Sequence, residues 1–101
     1  MIKAEELFRE LGNKIPGLKH STMFGSPCLK NSKGKSAAML WKEHLVVKLD
    51  VKELQNALKM DGVNLFEPMK GRSMKEWARI PVRYADRWED FVRKSLKFVG
   101  Q

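Results

Sequence analysis

The chain has 101 residues, of which 20 are Lys or Arg and 12 are Asp or Glu, so its formal net charge is +8. This length predicts a single domain, 1–101, that is large enough to bury a core without a metal or a disulfide. A hydrophobic fraction of 43%, with three Trp, five Phe and six Met, excludes an intrinsically disordered chain.

The compartment is indicated by the cysteine count and by the start of the chain. Cys28 is the only cysteine, so no intramolecular disulfide forms and nothing points to an oxidising environment. Glu5 and Glu6 interrupt the region where a signal peptide needs an apolar stretch. No run approaches the ~18 apolar residues of a membrane span. We therefore expect a cytoplasmic protein without membrane association.

The first half of the chain predicts a helix followed by three strands. Apolar residues at helical spacing predict an amphipathic helix that ends at Gly12 and Asn13. Gly25 and Pro27 break the next apolar segment, which is typical of an edge or bulged strand. A turn over 31–35 separates it from two further strands. The predicted elements are a helix over 4–11 and strands over 21–30, 36–41 and 45–49.

The second half predicts a helix, two strands and a last helix. Asp50 and Glu53 have the spacing of a capping box, and Asp61 and Gly62 end the helix that follows. Pro81 closes the last strand. The predicted elements are a helix that opens at 50 and ends at 61–62, a short strand over 63–66, a loop over 68–73, a strand over 74–80 and a helix over 86–99.

This order of elements favours an α+β domain. Strands joined by short turns form antiparallel sheets, and helices with one apolar face must cover a sheet. We predict two layers, with an antiparallel sheet of about five strands and the helices on one face. The order is helix, three strands, helix, two strands, helix.

No pattern of residues predicts catalysis or metal binding. Cys28 lies in an apolar strand and is better interpreted as a small buried side chain than as a nucleophile. With only His20 and His44 beside it, the paired spacing of a zinc site is missing. The segment 32–35 contains Gly-Lys but lacks the first glycine of a phosphate-binding loop. We expect neither a cofactor nor enzymatic activity.

Basic residues interleaved with aromatic ones give the strongest functional indication. They cluster around the first predicted turn and again around the strand before Pro81, and together they would form a positive surface if these segments share an end of the sheet. The alternative is that the lysines only solvate turns and edges while the tryptophans anchor the core. The candidate interaction surface comprises Lys30, Trp41, Lys48, Lys70, Arg72, Lys75, Trp77 and Arg79.

Two motifs resemble the N-terminal domain of the TfoX/Sxy family of bacterial competence regulators. They are MFGSPCLK over 23–30 and GRSMKEW over 71–77, and the resemblance extends over about 21–99. It implies a two-layer α+β fold similar to the YjbR-like and secretion-chaperone-like group. It also implies a regulatory role exercised together with a transcription factor, and it supplies no catalytic residues. Our leading functional hypothesis is therefore a protein-interaction domain in transcription regulation, with direct nucleic-acid binding as the alternative; the oligomeric state stays open.

Overall fold

The computed structural model describes residues 3–23, 25–69 and 71–100, and its description excludes the side chains of residues 68, 69, 72 and 73. The helices are α1 (Ala4–Lys14), α2 (Val51–Leu58) and α3 (Trp88–Val99), with a 3-10 segment at Val82–Arg87. The strands are β1 (Lys19–Met23), β2 (Ser26–Lys30), β3 (Ser36–Trp41), β4 (His44–Lys48), β5 (Asn64–Met69) and β6 (Arg72–Ile80).

The six strands form one antiparallel sheet in the order β1-β2-β3-β4-β6-β5. The α+β class and the antiparallel sheet are confirmed, but the sheet has six strands where about five were predicted. The difference arises at the segment predicted as one bulged strand, which is a hairpin of β1 and β2. Gly25 in its turn has φ +75°, a left-handed conformation that glycine adopts without steric cost.

Three other predicted boundaries change for local reasons. The predicted loop over 68–73 is the tip of a hairpin, with Gly71 at φ +82° between β5 and β6. The last helix begins at Trp88, after the 3-10 segment. Gly12 does not end α1: a Cβ at this position would lie 2.6 Å from Leu29 Cδ2, so the glycine lets the helix approach the sheet closely.

The main core lies between the three helices and one face of the sheet, which we call the helix-covered face. Alternate strand residues such as Leu45 and Val47 point into it, where they meet Phe8 from α1 and Phe91 from α3. Trp88 is fully buried there and its Nε1 donates to the Pro81 carbonyl at 3.2 Å. Hydrophobic burial on this face supplies the main stabilisation of the fold.

A second hydrophobic cluster lies on the opposite face of the sheet, which none of the three described helices covers. Its buried members are Cys28, Met39, Val46, Phe66 and Trp77, and we call it the opposite-face cluster. Trp77 is only 8% exposed in this cluster, which agrees with the alternative that the tryptophans anchor the core. Met23, Trp41 and Met74 pack against the cluster from its rim.

The β1–β2 hairpin curls over this opposite face. Met23 lies at the turn end of β1, whereas Ser36 begins β3 at the other end of the sheet. The Ser36 hydroxyl nevertheless donates to the Met23 thioether at 3.7 Å. This contact requires strong bending of the sheet, which explains how Cys28 and Met39 are fully buried without a covering helix. In the described ranges, none of the helices has both the length and the apolar character needed to cross a bilayer.

Candidate functional site

Strand direction decides which basic segments meet. β2 and β4 run toward the end of the sheet at which β3 and β6 begin. The turn over 31–35 and the β5–β6 hairpin therefore lie at the same end, which we call the basic end. The turn formed by Lys42 and Glu43 lies at the other end, where Lys42 Nζ is 5.8 Å from the Trp41 ring centroid.

A row of residues crosses the opposite face near the basic end. Lys19 pairs with Lys30, Lys30 with Ser36, and Lys48 with Trp77 in the strand register. Lys30 and Lys48 are two strand spacings apart, which is about 10 Å between backbones. The segment over 11–42, which includes the turn at this end, contains lysines but no acidic residue. The charge here is therefore concentrated by the register as well as by the sequence.

A cleft of about 520 Å³ opens at this end of the sheet. Lys35 and Lys48 provide its cationic groups, and Ser36 its hydroxyl. The apolar part of the lining comes from Met23, Trp77, Phe98 and Val99. Its size lies within the range of natural ligand pockets, and its combination of apolar walls with a few charged groups suits a ligand with both anionic and apolar parts.

Asn31 fixes the loop that carries Lys35. Its side-chain Oδ1 accepts hydrogen bonds from the backbone N–H groups of Lys33 (3.0 Å) and Lys35 (2.9 Å). Its Nδ2 donates to the Val99 carbonyl at 3.4 Å, and the residue is buried. One side chain thus shapes the basic turn and attaches it to the end of α3, so the wall of the cleft is held in place before any ligand binds.

The two cations of the cleft, Lys35 and Lys48, and the neighbouring Lys30 are weakly neutralised. Lys48 Nζ lies 3.9 Å from Glu76 Oε1, at the outer limit of an ion pair, and both side chains are substantially exposed. Such a contact contributes little free energy. In the described part of the chain Lys30 and Lys35 form no ion pair. These three ammonium groups therefore remain able to attract an anionic group.

The remaining predicted site residues either lie away from the cleft or are not among the residues that the structure describes. Trp41 is half-buried and meets Phe66 edge-on, with ring centroids 5.5 Å apart. Arg79 lines a separate depression with Asn64 and Leu65. Lys75 is exposed, two residues before Trp77 on β6. Lys70 is outside the described residues, and so is the side chain of Arg72.

Trp77 is buried, with 8% of its surface exposed, so it forms part of the wall of the cleft and is not a free aromatic platform. Four cleft or supporting residues were not predicted from the sequence: Met23, Asn31, Phe98 and Val99. Asn31 carried a usable signal, since an asparagine that opens a turn commonly accepts hydrogen bonds from the N–H groups that follow it. The apolar residues carried no such signal, because their sequence pattern is the same as that of core residues.

Cys28 is fully buried next to this site, as predicted. Burial raises the pKa of its thiol, while the nearby Lys30 ammonium and a hydrogen bond to Ser21 act in the opposite direction. A thiol with a raised pKa holds little thiolate and is a poor nucleophile. Among the described residues no three His, Cys, Asp or Glu side chains cluster as metal ligands would.

Comparison with known proteins adds no family assignment. No protein-family model matches the chain, and no curated protein sequence is significantly similar to it.

Proposed function

We propose that this chain is a non-catalytic, cytoplasmic protein-interaction domain that binds an acidic, partly apolar segment of a regulatory partner in the basic cleft. The observation that carries the proposal is the placement of Lys35 and Lys48 beside apolar walls formed by Trp77 and Phe98. Carboxylates of the partner would meet the lysines while an apolar side chain fills the cleft. The resemblance to competence regulators agrees with such a role, since those proteins work with a transcription factor.

Direct nucleic-acid binding is the competing function, and the aromatic side chains disfavour it. Proteins that bind single strands stack bases on exposed aromatic rings. Trp77 is 8% exposed and Trp41 is half-buried against Phe66, so neither ring is fully exposed for stacking. The half-buried aromatic ring beside the two cleft lysines is Phe98, and lysine contacts to phosphate carry no sequence information.

Fluorescence anisotropy with two labelled probes tests the proposal. The first probe is a peptide of alternating glutamate and valine, and the second is a duplex DNA of comparable charge. The double variant Lys35→Gln and Lys48→Gln removes the two cleft cations. The matched control, Lys52→Gln and Lys59→Gln, makes the same charge change at exposed lysines of and next to α2 that form no ion pair in the described ranges.

We expect the peptide to bind and the cleft variant to weaken its binding by about tenfold, a change of about 1.4 kcal/mol. The control variant should change the affinity by less than about twofold, because Lys52 and Lys59 do not line the cleft. Equal losses in both variants would show non-specific attraction and contradict the proposal. Tighter binding of DNA, with an affinity that falls with salt by about 0.9 log units per log unit for each contacted phosphate, would favour the competing function.

A further inference from the structure

The outer edge of the sheet at β1 has the features of an open docking strand. β1 is the last strand on its side of the sheet, and its residues from Lys19 to Thr22 are all exposed. Its five residues pair with β2 in an unbroken register. An edge strand of this kind presents unpaired backbone donors and acceptors along a regular line.

The other edge of the sheet, at β5, is protected against pairing with a further strand. β5 contains Pro68, which has no N–H to donate, and its pairing with β6 is interrupted by two register shifts. Proline and irregular register are both devices that prevent a further strand from pairing. β1 has neither, so the two edges differ in their readiness to accept a strand.

The residues that offer the free backbone groups can be identified from Pro27. Thr22 lies opposite Pro27 in the register, and because proline has no N–H this cannot be a mutually hydrogen-bonded pair. The N–H and C=O of Thr22 therefore point away from β2, and those of His20 do so as well because strands repeat every two residues. In the described part of the chain neither residue forms a backbone hydrogen bond outside the β1–β2 pairing.

Charge determines which strand this edge would accept. Lys19 lies on β1 and Lys30 opposite it on β2, within the segment over 11–42 that has no acidic residue. A second copy of the chain would bring like charges together across the edge, which is destabilising. An acidic strand would instead form cross-strand pairs of opposite charge.

We propose that the acidic partner segment docks as an added seventh strand on β1, hydrogen-bonded to His20 and Thr22. This inference rests on the proposed function and specifies how the partner binds. Met23 belongs to β1 and also lines the basic cleft, so a segment lying along β1 would contact one wall of the cleft. Backbone bonds supply affinity in this mode of recognition, and the lysines and the cleft supply specificity.

Amide hydrogen exchange of the full chain, with and without the alternating glutamate–valine peptide, tests this mode directly. We expect the His20 and Thr22 amides to exchange at least about tenfold more slowly in the complex, because they become hydrogen-bonded. If these two amides exchange in the complex as fast as in the free protein, strand addition is contradicted. A peptide of alternating lysine and valine, which has the same strand pattern with reversed charge, should give no protection.

The substitution Thr22→Pro removes one outward N–H, and Thr22→Val keeps it with a side chain of similar shape. We expect about tenfold weaker peptide binding for the proline variant and less than about twofold change for the valine variant. Urea denaturation of both variants checks that β1 remains folded. If the proline variant unfolds, the exchange experiment on the unaltered chain still decides the question.

The outcomes separate this inference from the proposed function. Loss of binding in the Lys35 and Lys48 variant without an effect of Thr22→Pro would place the peptide in the cleft alone and overturn strand addition. Absence of peptide binding would overturn both. Sedimentation of the free chain as a dimer that Thr22→Pro dissociates would show that a second copy occupies β1, against our proposal.

Discussion

The two faces of the sheet are formed by the same strands but are buried in different ways. On the helix-covered face three helices enclose a continuous core in which Trp88 and Leu45 have no exposed surface. On the opposite face the sheet bends over itself, and a smaller cluster around Met39 and Val46 is buried by its own rim. A sheet face can thus exclude water from its residues without covering helices. Such a face can also carry a cleft at its edge.

The helical layer and the basic end of the sheet also differ in how far their cations are paired. In the helical layer, Lys14 and Arg93 both contact Glu89, and Lys94 contacts Glu53 and Asp90. At the basic end, Lys30 and Lys35 lie on the segment over 11–42, which has no acidic residue, and Lys48 makes only a 3.9 Å contact with Glu76. Cations that are already paired are partly neutralised, whereas unpaired ones remain available to a partner.

The largest expected effect tests whether the opposite face is closed. Cys28 should react with a disulfide reagent at least about a thousandfold more slowly than an exposed thiol, because the raised pKa leaves little thiolate and the sulfur is reached only when the fold opens. The measurement is the rate of thiol modification in the folded and the guanidinium-unfolded protein. Cys28→Ser combined with Ser32→Cys places the thiol in an exposed turn as a control. Equal rates for the two thiols would show that this face is open.

A matched pair of substitutions compares how well the two faces are packed. Val46 and Val47 are neighbours on β4, both fully buried, and point to opposite faces. Each change to Ala should lower the free energy of unfolding by about 2 kcal/mol, since two buried carbon groups are lost and a small cavity remains. Urea denaturation measures both. A cost of only a few tenths for Val46→Ala, beside a full cost for Val47→Ala, would mean that the opposite-face cluster is loosely packed.

The smallest expected effect concerns the ion pairs of the helical layer. Hydrogen bonds from Lys14 and Arg93 hold the pKa of Glu89 below its ordinary range. Because the pKa is lower in the folded state, the stabilisation is complete above the ordinary glutamate pKa of about 4.3 and is lost as the pH falls through the folded value. Glu89→Gln should therefore flatten the acid side of the stability curve slightly, as measured by thermal unfolding from pH 2 to 7. Glu10→Gln, at an exposed glutamate with no ion pair in the described ranges, is the control and should leave the curve unchanged.

Much of the fold could be predicted because its signals are local. The alternation of Leu45, Val46 and Val47 predicted a strand, and Asp50 does cap α2 by accepting from the Glu53 N–H at 2.8 Å. The hairpin at Gly25 was missed because glycine is compatible with a bulge as well as with a turn. A glycine with only a few residues on either side fits a bulge within one strand and a tight turn between two strands equally well.

The candidate site was predicted only in part. Lys30, Lys48 and Trp77 do share a row near the basic end, and Lys35 joins them through the loop that Asn31 shapes. Arg79 is only two residues from Trp77 but lines a different depression. Sequence spacing places residues on one face of a strand, but it does not tell which strands are neighbours or where a sheet bends.

The sequence by itself determined the class of the fold, the burial of Cys28 and the excess of positive charge in two segments. Apolar periodicity, capping residues and turn residues act over a few positions, so they can be read without knowing the tertiary structure. Only the tertiary structure decided that the opposite face is closed, that Trp77 is a wall of the cleft and that β1 is left as an open edge. These features depend on strand order and sheet curvature, which arise from contacts between residues far apart in the chain.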